Sequence, residues 1–273
     1  MSTPAPGPGP AAPGLAALRA RLAALALPAG RHGAVAFGDP AIDAHLPPGG
    51  LARGGLHEIL ADGIEAETGA LAAAFAACLL TRLLAWAGEA RPVLWIARAT
   101  DLHPAGLLAY GLDPARLLLV RGGGDTLTLG AAEAALRDGA AAAVVAEIGG
   151  LPPLAARRLL LAAETGGSTG LALRRWPQGR RQGAAGAATE RDGVATTRWH
   201  LATAPSVPPS WQGPGLPRWQ VRLLHARGGR PGGWIMALQG GRLDGGIADA
   251  PHALRVVAGL ADDAGRTSQQ RRA

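Results

Sequence analysis

The fold is decided by the stretch Ile42-Asp43-Ala44-His45-Leu46-Pro47-Pro48-Gly49-Gly50-Leu51-Ala52-Arg53-Gly54-Gly55-Leu56-His57-Glu58-Ile59-Leu60, followed by Ala61-Asp62-Gly63-Ile64-Glu65-Ala66-Glu67-Thr68-Gly69-Ala70. Glycine turns lead into a short apolar run, Leu56 to Leu60. A Gly-bearing loop comes next, then a long Ala/Leu stretch. Strand, glycine loop and helix start in this order make a phosphate-binding unit, because a helix N-terminus presents unbonded N–H groups to an anion. The working loop reads G-x-x-x-x-G-K-[ST], with the lysine on the phosphates and the hydroxyl on magnesium. Here Gly63 opens the loop, Thr68 and Gly69 come near its end and Ala70 follows, in a chain that contains no lysine. Glu65 and Glu67 add negative charge where a phosphate would sit. Gly63 and Gly69 are then either relics of phosphate binding or the glycines that a tight turn at a helix start requires.

At 273 residues and 48% hydrophobic content, the chain can bury one good-sized domain with tails. Its net charge of +7 permits nucleic acid or an acidic partner without demanding either. The absence of Lys and Asn beside abundant Ala, Gly and Arg points to codon drift, so arginine content by itself carries no function. The single cysteine, Cys78, excludes an internal disulfide framework and a cysteine zinc site. Met1 to Gly14 lacks the basic and apolar regions of a signal peptide, and Leu71 to Leu84 is interrupted by Thr81 and Arg82. A soluble cytoplasmic protein without a membrane segment is expected.

Three regions are expected: 1–34, a disordered tail with a short amphipathic helix at Leu15 to Leu27; 35–240, the folded domain; and 241–273, a mobile C-terminal tail. Within the domain the spacing predicts a helix from Gly69 to Trp86 and a strand over Arg91 to Ala97. A short helix over Pro104 to Tyr110 and a strand over Leu117 to Val120 come next. A helix over Thr126 to Asp138, a strand over Ala141 to Ile148, a helix over Leu154 to Thr165 and a strand over Gly170 to Arg174 follow. This alternation argues for an α/β fold with a mostly parallel, twisted sheet flanked by helices. Later strands are expected over Thr196 to Thr203 and in a hairpin of Trp219 to Leu224 with Trp234 to Leu238.

Charge is localised. From 171 to 230 there are ten arginines against Glu190 and Asp192, and five of the seven tryptophans lie between Trp176 and Trp234. Arginine with aromatic rings is the composition of a single-strand-binding surface, and solvated charge over core tryptophans accounts for it equally. Arg174, Arg175, Arg180, Arg181, Arg198 and Arg218 are the candidate DNA or partner surface. The seven histidines show no paired metal spacing, so no metal site is expected.

The order of these pieces resembles the core domain of the RecA recombinase over roughly residues 40 to 240. The resemblance is carried by Gly49 to Ile59, by Trp95-Ile96 through Leu102-His103-Pro104, by Val144 to Leu151 and by the late hairpin. Each chemical position departs from that ATPase. The lysine falls on Gly69 or Ala70, the magnesium-binding aspartate on Ala146 and the water-activating glutamate on Ala99. Glu147 lies one step past Ala146, which places it on the other face of a strand.

A RecA-like chain without that lysine, carrying Arg157-Arg158-Leu-Leu-Leu-Ala-Ala-Glu, Thr197-Arg198-Trp199 and Pro217-Arg218-Trp219, is similar to the ImuA family. The resemblance implies a pseudo-ATPase without a cofactor, in the damage-induced bacterial mutasome. It implies ImuB-like protein and RecA as partners and an error-prone C-family polymerase indirectly, with single-stranded DNA a candidate ligand. Two other readings stay open. One is a DNA-dependent ATPase in which Arg53 or Arg98 replaces the lysine; the other is a cell-division inhibitor of related fold.

Overall fold

A computed structural model describes residues 31–47, 49–61, 65–86, 90–99, 101–175, 194–206, 217–239 and 253–260. The chain opens with β1 (Ala34–Val35), a single-turn helix α1 (Pro40–Asp43) and β2 (Leu51–Ala52), with β1 and β2 paired antiparallel. The organising unit follows as β3 (Leu56–Ala61) and α2 (Glu65–Leu84). Next come β4 (Val93–Ala97), two short 3-10 turns (Pro104–Tyr110 and Pro114–Arg116) and β5 (Leu117–Arg121). Helix α3 (Asp125–Asp138), β6 (Ala143–Ile148), α4 (Pro153–Gly166) and β7 (Thr169–Arg174) complete the alternating part. Four strands close the fold: β8 (Thr197–Ala204), β9 (Arg218–Ala226), β10 (Gly232–Gln239) and β11 (Ala253–Gly259).

Nine of these strands form one sheet in the order β11-β10-β9-β8-β3-β7-β6-β4-β5. From β8 to β5 every pairing is parallel, whereas β8-β9, β9-β10 and β10-β11 are antiparallel. The expected α/β class, with a mostly parallel sheet flanked by helices and a late hairpin, is what the chain forms. One expectation fails. Residues 253–259 lie in the stretch read as a tail, yet they pair with β10, and Leu254 is fully buried. The backbone N–H of Val256 donates to Asp39 Oδ2 at 2.9 Å, and Arg255 donates to the Gly38 carbonyl at 2.8 Å, so β11 is tied to the start of the domain.

The sheet carries a core on each face. Against α2 lie Val93, Trp95, Val145 and Leu171, with Trp199 between Phe37 and Phe75 at ring-centroid distances of 5.9 and 5.5 Å. Residues Leu71 to Leu80 of α2 are all buried, as befits a helix apolar on every side. Against α3 and α4 lie Ile96, Val144, Ala146 and Ile148. The two helices approach so closely at their C-terminal ends that a Cβ added to Gly166 would stand 2.1 Å from the Leu136 carbonyl oxygen. Ala146 and Glu147 face opposite layers, as strand alternation requires.

Near the sheet centre, His57 links β2, β3 and β8. The Ala52 carbonyl, 2.9 Å from Nε2, can accept but not donate, so Nε2 carries the proton. Nδ1 then accepts from the Thr197 hydroxyl at 2.7 Å, and that oxygen accepts from Trp199 Nε1 at 2.8 Å.

Candidate functional site: the cleft at the strand ends

Because β3, β4, β6 and β7 run parallel, their C-terminal ends meet at one edge of the sheet, where α2 begins. Open α/β sheets place ligand sites at this edge. A cavity of about 480 Å³ lies there. Gly69, Ala70, Ala73 and Ala74 of α2 form one wall, and small side chains at this spacing are what leave the space open. The connection from β4 to β5 supplies the opposite wall through Leu102, Leu107 and Tyr110, with His103 at the rim. Burial pushes the Tyr110 phenol up.

The polar end of the cavity is made by Asp101 and Arg175. Arg175 directly follows β7, and its backbone N–H donates to the Ile148 carbonyl at 2.8 Å, which pins it beside β6. Its guanidinium reaches Asp101 with two donors, at 2.5 and 3.3 Å, and meets Glu147 Oε1 at 3.0 Å. Glu147 also accepts from Trp95 Nε1 and from the Arg98 backbone N–H, each at 3.0 Å. A buried carboxylate must be paired and hydrogen-bonded to persist, and these three donors meet that need. The hydrogen bond from Arg175 holds the Asp101 carboxyl below the usual carboxylate range.

A second buried carboxylate, Glu58 on β3, organises the neighbouring strands. It accepts from Arg198 Nε at 2.5 Å and Arg174 Nη1 at 3.3 Å, one arginine from each strand flanking β3. Two of the arginines read as a DNA or partner surface are therefore internal ion pairs, and Arg175 is a third. The surface reading of Arg174, Arg175 and Arg198 does not hold. Arg218 is half-buried on β9, and Arg180 and Arg181 lie outside the described residues. The tryptophans follow the core alternative, with Trp199, Trp219 and Trp234 all buried.

The nucleotide-loop residues are only partly brought together. Gly69 and Ala70 line the cavity, and Thr68 belongs to α2. Gly63 lies outside the described residues. Ala99 is half-buried just past β4, and Ala146 packs on the far side of the sheet. Of the two arginines considered as lysine replacements, Arg98 pairs with Asp125 at 2.9 Å and Arg53 lies 5.0 Å over the Trp86 ring. Neither lines the cavity. Among the described residues no group of three His, Cys, Asp or Glu side chains is placed to hold a metal ion. No described helix is long and apolar enough to cross a membrane.

Sequence reasoning missed the pairing of Glu147 with Arg175. A signal existed, since a carboxylate inside the apolar run Ala143 to Ile148 needs a cation, and Arg175 directly follows the next strand.

Comparison with known proteins places the chain. Protein ImuA of Caulobacter vibrioides, in two strains, is 44% identical over 230 residues, covering 84% of this chain and 90% of its own. The chain belongs to the ImuA family. ImuA proteins are accessory proteins of SOS mutagenesis and translesion synthesis. No family model matches this ImuA-family chain. Among solved structures, SulA from Pseudomonas aeruginosa matches 44% of it and 97% of its own length, at 26% identity and a TM-score of 0.37. The cleft of this ImuA-family chain thus belongs to a mutagenesis accessory protein, and its polar end is filled by the protein's own arginine.

Proposed function

We propose that this ImuA-family chain is a non-catalytic, RecA-like scaffold of the damage-induced mutasome. It supports error-prone translesion synthesis in the cytoplasm by holding an ImuB-like polymerase relative and RecA, and through them a C-family polymerase. One observation carries the non-catalytic part. The Arg175 guanidinium sits between Glu147 and Asp101 at the strand ends, where an ATPase of this architecture needs metal and phosphate. With Arg175 bridging the two carboxylates, the positive charge that a metal ion would bring to them is already supplied by the chain. The replacement at Gly69 or Ala70 and the alanine at 99 point the same way, whereas Ala146, on the far side of the sheet, does not bear on the cleft.

The test is ATP binding and turnover by the purified chain, with and without single-stranded DNA, beside binding of the ImuB-like protein and RecA by calorimetry. The expected result is no turnover above a Gly63→Trp control, with micromolar or tighter binding of both proteins. DNA-stimulated turnover that Gly63→Trp abolishes would replace this reading with the DNA-dependent ATPase.

A further inference from the structure

The polar end of the cleft keeps a negative charge after its own arginine is counted. Two carboxylates, Glu147 and Asp101, share the guanidinium of Arg175 at 3.0 and 2.5 Å. Glu147 is closed to solvent, and its other donors, Trp95 Nε1 and the Arg98 backbone N–H, are neutral. Asp101 is the carboxylate that faces outward, with 52% of its side chain exposed where it lines the cavity. The hydrogen bond from Arg175 keeps its carboxyl ionised at neutral pH. The adjacent arginines face other anions, Arg174 meeting Glu58 at 3.3 Å and Arg98 meeting Asp125 at 2.9 Å. Two carboxylates on one guanidinium leave one negative charge, and Asp101 presents it to the cavity. The positive end of α2 does not cancel it, because the first turn of that helix reads Glu65-Ala66-Glu67-Thr68.

Away from Asp101 the cavity is apolar. Ala70, Ala73 and Ala74 make a low wall that Leu102, Leu107 and Tyr110 face. At the rim, His103 Nδ1 accepts from the Gly106 backbone N–H at 3.2 Å. The ring proton is then on Nε2, a donor suited to a peptide carbonyl. These features select the occupant by charge. A phosphate or carboxylate would meet Asp101 as a like charge, and a wholly apolar group would desolvate that carboxylate without replacing its water. A long side chain with an apolar stem and a cationic tip satisfies both halves of the cavity.

We propose that the cleft receives an arginine or lysine side chain from an apolar segment of a protein partner, with the stem along the alanine wall and the cation beside Asp101. The inference rests on the reading above that the chain works by binding proteins, and it names the chemistry of one contact.

The experiment titrates the isotope-labelled full chain with acetyl-Leu-Arg-Leu amide, with its glutamine and glutamate counterparts and with ATP, following backbone amide shifts. Two variants are compared with the parent. Asp101→Asn removes the outward charge, and Ala70→Leu fills the cavity from an exposed position of α2. Thermal unfolding checks that both fold. Expected are shifts at Gly69, Ala70 and Gly106, with the arginine peptide bound about fivefold or more tighter than the glutamine peptide and the glutamate peptide weakest. Asp101→Asn should erase the preference for arginine, whereas Ala70→Leu should weaken the arginine and glutamine peptides alike. Both variants should also bind the purified ImuB-like protein or RecA about tenfold more weakly than the parent does. Equal binding of the three peptides, shifts confined to another part of the chain, or ATP bound in preference to the arginine peptide overturns the proposal. So does undiminished binding of both proteins by the two variants, which leaves the scaffold function standing. Failure of both proteins to bind the parent, with the peptide contrast intact, removes the scaffold reading and keeps the cation-selective cleft.

Discussion

Arg175 Nη1 lies 3.0 Å from Glu147 Oε1 with both side chains closed to solvent, at 5% and 0% exposure. Breaking one side of such a pair leaves an uncompensated buried charge, which costs more than the pair itself contributes. Arg175→Met is expected to lower stability by about 3–5 kcal/mol in urea unfolding, and Glu147→Leu by less, because Asp101 still pairs with Arg175. The double variant should recover a large part of that loss. A single variant with an unchanged midpoint would show that the pair is not formed in solution.

Stability should fall as the solution is acidified through the histidine range. Burial lowers the His57 pKa to about 4 from its ordinary 6.5, against the opposing hydrogen bond to Ala52. Between those values the unfolded chain takes up a proton that the folded chain refuses, so unfolding is favoured as pH drops. The loss approaches about 3 kcal/mol by pH 4. Urea midpoints at pH 7.5 and 4.5 measure it. In His57→Gln the pH dependence should be shallower by about that amount, and a parallel slope would rule out His57 as its source.

Cys78 sits in α2 with its thiol pushed up to about 12 by burial, against the smaller opposing charge of Arg82. Almost no thiolate exists at pH 8, and a disulfide reagent should find none in the folded chain. One thiol per chain should react once the protein is unfolded in urea. Rapid labelling without denaturant would contradict the burial.

The C-terminal strand is expected to contribute to the stability of the whole domain. Leu254 is fully buried against the α2 layer, so Leu254→Ala should cost about 2–4 kcal/mol. Were 253–259 a tail, the same substitution would move the thermal midpoint by less than a degree or so.

Much of the fold was legible because its signals are local. The apolar runs at Leu56 to Leu60 and Val93 to Ala97, the helical stretches after Gly69 and Thr126, and the glycines and prolines between them each declare an element within a few residues. β11 was not, because Ala253-Leu-Arg-Val-Val-Ala-Gly is ordinary in composition and becomes a strand through pairing with β10 and capping by Asp39. The cleft was half legible. Gly69 and Ala70 mark its wall, but nothing nearby in sequence shows that Arg175 closes its polar end.

By itself, then, the sequence determined the α/β order, the missing phosphate-loop lysine and, through its likeness to ImuA, the family. Whether a given arginine faces solvent or a carboxylate was decided by the tertiary structure alone. Glu58 is 116 residues from Arg174 and 140 from Arg198, and Arg175 is 74 from Asp101. Charge is written residue by residue, but the desolvation that turns it into a buried pair exists only after distant strands have come together.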